Sequence, residues 1–263
     1  YKPVALDDAL PETETGVLLS IADRIDTIVG CIGVDMLPSG SSDPFGLRRQ
    51  AQGLVSLLLS SALEVPMVEL IGMAQREFST EKPDAQILEE VRCFFEKRIN
   101  YIFQREGLSH DVLRAVMSGG ITTVHDAFSR AVALAEIKGE ADFEALATAF
   151  KRIKNILNKF EGEIPPLEVS RLIEQEEQEL HSACETLKPK VEQSVRKKDY
   201  ETALRLIAGI RETVDRFFDK VLVMADETAL RDNRLALLKE ISDLFLSIAD
   251  ISEVVQQGDQ NGK

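Results

Sequence analysis

Apolar side chains recur every three or four residues through nearly all of the chain beyond its first dozen positions. No stretch sustains the two-residue alternation of a half-buried strand. That period restricts the fold class to all-α, because apolar stripes of this kind are buried only against one another, as a multi-helix bundle. The pattern is densest in residues 200–252. There Ala203, Ile207, Ile210, Val214, Phe217 and Val221 mark one helix, and Leu230, Leu237, Ile241, Leu244, Ile248 and Ile251 mark a second. Asp226 is the expected N-cap of that second helix. Arg231 and Arg234 lie three apart and share one side of its first turns.

From the start of the chain, Leu18, Ala22, Ile25, Ile28, Val29 and Ile32 mark a helix followed by the loop LPSGSSDPFG. In that loop Asp43 is placed to cap the next helix and Pro44 to take its first position, where a missing N–H costs nothing. A third helix is expected around residues 66–78. A long one carries Ile87, Leu88, Val91, Phe94, Phe95, Ile99, Ile102 and Phe103 and stops at Gly107. Ser109 is the expected cap of a short helix ending at Gly119-Gly120. Phe128, Ala131, Val132 and Ala135 follow, and Asp142 is then expected to cap a helix with Phe143, Leu146, Phe150, Ile153, Leu157 and Phe160 inward. Pro165-Pro166 precedes an acidic helix read from Val169 through Leu172, Ile173 and Leu180 to Val191, and Asp199 caps the first helix of the closing pair. A domain boundary suits either the break between Ile137 and Asp142 or Pro165-Pro166; the first divides the chain into 1–138 and 139–263.

Several function classes are excluded or left without support. No apolar run approaches the roughly 20 residues of a membrane-spanning helix. The start has neither the basic nor the apolar region of a signal peptide and lacks Met, so the chain is expected to be a piece of a longer protein. Cys31, Cys93 and Cys184 are odd in number and never in a CxxC, which suits reduced, semi-buried thiols and no metal site. The dipeptides His110-Asp111 and His125-Asp126 suggest metal-dependent phosphohydrolases, but three histidines are few for such a centre. No phosphate-binding glycine loop and no nucleophile elbow is present, so no catalytic residue is assigned.

A net charge of −14 argues against general affinity for nucleic acid, DNA included, and requires any such partner to meet a local basic patch. One cluster qualifies. KRIKNILNKF, residues 151–160, holds four basic residues and no acid. On a helix Lys151, Lys154 and Asn158 share one face, and Arg152, Asn155 and Lys159 an adjacent one, a composition suited to phosphates and base edges of RNA. A merely solvated face fits the same pattern. Arg48 and Arg49, after the Gly/Ser loop, are a weaker candidate for phosphate contact.

Four stretches, in order, resemble the β subunit of the tetrameric glycyl-tRNA synthetase. They are LSIADRIDTIVGCIGVDMLPSGSSDPFGLRRQAQGL, FFEKRINYIFQREGLSHDVLRAVM, AFKRIKNIL and FFDKVLVMADETALRDNRLALLKEISDLFLSIADIS. The resemblance implies the remainder of an HD-like helical domain followed by a DALR-like anticodon-binding bundle. It places Asp23 of ADRID where HD enzymes hold their last metal ligand, with the other ligands upstream, so no metal activity is assigned. It further implies a partner tRNA-Gly, a separate α subunit in an α2β2-type assembly that uses ATP and Mg to activate glycine, and a cytoplasmic location in bacteria, or an organellar one in a plant. On that reading the fragment binds no cofactor, and Lys151, Arg152, Lys154, Asn155, Asn158, Lys159, Arg231, Arg234, Arg48 and Arg49 hold the RNA. The competing expectation is a helical scaffold that binds a protein through an amphipathic groove.

Overall fold

The computed structural model describes residues 8–254 and is helical throughout. Apart from an isolated bridge between Ser39 and Ser42, no strand pairing occurs among the described residues. The helices are α1 (Glu14–Gly33), α2 (Leu47–Ser60), α3 (Met67–Gln75), α4 (Asp84–Arg105), α5 (His110–Ser118), α6 (Val124–Ile137), α7 (Ala141–Lys159), α8 (Gln175–Arg196), α9 (Tyr200–Ala208), α10 (Arg211–Lys220) and α11 (Thr228–Leu246). Short 3₁₀ turns occupy Val169–Arg171 and Ile251–Glu253.

The chain forms two compact units. One takes residues up to Leu108 together with Gly120–Phe128; the other takes Ser109–Gly119 together with residues from Ser129 onward. In the first, α1, α2, α3 and α4 pack pairwise around Ile28, Ile32, Leu54, Leu58, Phe95 and Phe103, all buried. Leu18 and Ala22, read as part of the inner face of α1, are exposed, so the buried stripe begins at Ile21. Asp43 does cap α2, but from outside it. Its carboxylate accepts from the N–H groups of Leu47 (2.7 Å) and Arg48 (3.0 Å), and Gly46 turns the chain between them at φ 63°. Pro44 therefore lies before the helix, not at its first position. That turn needs a left-handed residue, which glycine supplies without steric cost.

The second unit is built on α7, α8, α9, α10 and α11, with the 3₁₀ turn Ile251–Glu253 set against α5 and α7. The inner faces read from the sequence are buried: Phe143, Phe150 and Ile153 on α7, Leu237 and Ile241 on α11. Phe150 meets Phe245 at 4.8 Å between ring centroids, tying α7 to α11. Four boundaries differ from the sequence reading. The helix read through residues 203–221 is two helices, broken at Gly209-Ile210. The acidic helix starts at Gln175, because Glu177 reaches back to the N–H groups of Ile173 (2.8 Å) and Glu174 (3.0 Å) in a capping box; Val169 and Ile173 are exposed. Glu140, not Asp142, holds the N-cap position of α7, and the Asp142 carboxylate instead accepts from Arg211 at 2.7 Å. Glu227, not Asp226, holds that position on α11. Asp199 caps α9 as expected, accepting from the N–H of Thr202 at 3.1 Å.

Candidate nucleic-acid interface

The basic cluster occupies the second half of α7, where Phe150 and Ile153 face the core and so turn the cations outward. Lys151, Arg152, Asn155, Asn158 and Lys159 are exposed. Lys151 and Lys159 take no ion-pair partner among the described residues. The Arg152 guanidinium lies 4.1 Å from the centroid of the Phe218 ring, a cation–π contact that fixes the side chain without neutralising it.

Lys154 is spent differently. Its ammonium pairs with Asp250, whose side chain is only 3% exposed, and reaches the hydroxyl of Ser252 at 3.3 Å. Asp250 is itself held by the Ser252 hydroxyl (2.6 Å), and its N–H donates to the carbonyl of Ala115 at 2.8 Å. Lys154 thereby ties α7 to the closing turn and α5. That closing turn brings in residues the sequence reading missed. Arg114 of α5 and Glu253 pair at 3.3 Å, and Arg114, Lys151, Lys154, Asn155, Asn158 and Glu253 line one cleft of about 480 Å³. Arg114 and Glu253 are 139 positions apart, so no local spacing could have indicated them.

The other residues separate. Arg231, on the first turn of α11, pairs with its neighbour Asp232 at 3.1 Å and stands 5.6 Å from the Phe160 ring, at the end of α7. Arg234 is not on the surface. It is buried in an ion pair with Glu177, itself fully buried, and donates to the carbonyl of Leu222 at 2.8 Å. The three-residue spacing that joined it to Arg231 in sequence leaves the two about 60° apart around the helix axis, enough to turn one inward. Arg48 and Arg49 belong to the first unit. Arg48 donates to the Gly40 carbonyl at 2.8 Å, and Arg49 is exposed.

Among the described residues, neither dipeptide that suggested a metal centre joins a group of side chains arranged to hold one. Asp111 accepts from Lys138, whose ammonium also lies 2.7 Å from the Ser109 hydroxyl. Burial pushes the Asp111 carboxyl up, but the Ser109 hydroxyl and the Lys138 charge together outweigh it and hold the group below its ordinary value. His125 faces Glu64 at 3.5 Å. Asp23 is exposed, and among the described residues no group of three or more His, Cys, Asp or Glu side chains is arranged to hold a metal ion. The cysteines are not uniformly semi-buried: Cys93 is exposed, Cys31 intermediate and Cys184 buried.

An all-helical unit that ends in α11 and offers cations along α7 has the build of a DALR-type helical domain, and residues 146–254 match the family described as DALR anticodon binding domain. Residues 1–118 match the family described as Glycyl-tRNA synthetase beta subunit. The chain is 40% identical, over 97% of its length, to the glycine–tRNA ligase beta subunit of Acidobacterium capsulatum. It is 40% identical over 96% to that of Shewanella oneidensis and 37% identical over 97% to that of Desulforapulum autotrophicum. It belongs to the family of glycyl-tRNA synthetase β subunits. The chain spans 37% of the length of these relatives and matches their C-terminal part.

Proposed function

We propose that this chain is the tRNA-holding part of a glycine–tRNA ligase β subunit. It grips tRNA-Gly so that a separate α subunit, in an α2β2-type assembly, joins glycine to it with ATP and Mg in the bacterial cytoplasm. The observation that carries the reading is the coincidence of the DALR match at residues 146–254 with exposed Lys151, Arg152 and Lys159 on α7. Those cations supply phosphate contacts, while Asn155 and Asn158 beside them carry the donors and acceptors that base edges require. The contribution to the rate is positional: a tRNA fixed at this end presents its other end to chemistry performed elsewhere.

Titration of the chain with tRNA-Gly and an unrelated tRNA over a salt series tests the proposal. Affinity should fall as salt rises, tRNA-Gly should be preferred, and a variant with Lys151, Arg152 and Lys159 changed to Ala should bind more weakly with a shallower salt slope. Superimposable curves for that variant and the parent would remove α7 from the interface. No binding of either tRNA would leave the protein-scaffold reading.

A further inference from the structure

The cleft between α7, α5 and the turn Ile251–Glu253 holds an internal contradiction that points to a ligand. Three cations converge on it: Arg114, Lys151 and Lys154. Lys154 is anchored by the buried Asp250, and Lys151 has no ion-pair partner among the described residues. One further anion enters, the carboxylate of Glu253, and it binds loosely. It lies 3.3 Å from Arg114 Nε and 3.8 Å from Lys154 Nζ, with all three side chains at least one-third exposed. Exposed pairs of this length contribute little, so the carboxylate is displaced cheaply. Glu253 offers the Arg114 fork one carboxylate oxygen at 3.3 Å and its neutral backbone carbonyl at 3.5 Å, whereas a phosphodiester there would meet the fork with two charged oxygens. It would also reach Lys151 and bring its nucleotide beside Asn155 and Asn158.

Resting on the RNA-binding reading above, we infer that this cleft is a phosphate-binding subsite in which Glu253 occupies the anion position until an RNA phosphate displaces it. Arg114 is then a direct RNA ligand, and Glu253 a built-in competitor that raises the threshold for binding. The device suits a chain that must hold one RNA and release it. A weak internal anion closes the site after release and lowers its affinity for stray polyanions.

The test uses the whole chain and a tRNA-Gly transcript, with Glu253→Gln, Arg114→Ala and Arg114→Lys compared with the parent. Both E253Q and R114A break the same ion pair, so a purely structural pair would move RNA affinity in one direction for both, or not at all. The competitor role requires opposite directions. E253Q should tighten binding by about threefold at low salt, and R114A should weaken it by about as much or more. R114A should also reduce the slope of log affinity against log salt by about 1, with R114K in between. Tight parental binding with both variants unchanged, or shifted the same way, overturns the subsite and leaves the broader RNA reading standing. Absence of parental binding overturns both. Should R114A fail to fold, E253Q still decides, since it keeps the shape of the side chain and only loses its charge.

Discussion

At the scale of single residues, burial separates the arginines that hold the protein together from those free to meet a partner. Arg234 and Glu177 are 6% and 0% exposed and satisfy each other, with the remaining Glu177 oxygen taken by the N–H groups of Ile173 and Glu174. Truncating Arg234 leaves a buried carboxylate without its counter-charge, a change that costs about 3–5 kcal/mol. R234A should therefore melt far below the parent, yet bind tRNA unchanged at a temperature where it remains folded. Calorimetry alongside RNA titration checks this, and normal stability with weakened RNA binding would reverse the assignment. Arg231, three positions away and partly exposed, has no comparable burden. A sequence marks both as arginines on one helix and cannot say which finds a buried acid 57 positions earlier. Cys184 illustrates the same limit. Its burial, with Glu240 and Glu185 nearby, pushes the thiol up to about 12, so the native chain should leave it unlabelled by thiol reagents at neutral pH. Labelling of Cys184 in the folded chain would contradict that. The sign follows from the raised value: the protonated, unreactive form is the one favoured by folding.

At the scale of elements, the legible part was the apolar stripe and the illegible part was where each helix begins. Periodicity placed Phe143, Phe150, Val214, Phe217 and Ile241 inward, and all are buried, because a stripe is a sum over many residues and survives local errors. Caps depend on one or two bonds and shift by a few positions when a competitor exists. Glu177 out-competed the expected start near Val169, and Gly46 moved α2 away from Pro44. The candidate site shared both fates. Lys151, Lys154, Asn155 and Asn158 are neighbours by helical spacing and do line one cleft, whereas Arg114 and Glu253 join it through tertiary packing alone. Asp43 provides the test at this scale. It holds two N–H groups that α2 cannot satisfy itself, so D43A should cost about 1 kcal/mol while D43N, still an acceptor, retains most of the stability. Denaturant unfolding of both variants reads the difference, and equal losses would show that charge, not capping, is what Asp43 supplies.

For the whole molecule, the governing fact is that a chain of net charge −14 gathers exposed cations on α7. On the proposed reading its long-range field would repel RNA while the cations of α7 would attract it at short range, and salt separates the two because charges beyond about 8 Å are largely screened at physiological ionic strength. The exposed acids Glu161 and Glu163 follow α7 directly and stand close in sequence to Lys159, so on the RNA-binding reading they add repulsive charge beside its cations. Changing both to Gln should speed association of every tRNA alike at low salt, leave the preference for tRNA-Gly where it was, and lose its effect as salt is raised. A field that acts before contact cannot read bases, whereas Asn155 and Asn158, if they read them, should alter the preference and leave the low-salt association rate alone. Stopped-flow association with two tRNAs at two ionic strengths separates these outcomes. A change in preference on neutralising Glu161 and Glu163 would mean that the loop after α7 touches the RNA itself, and that the interface extends past the cationic half of the helix.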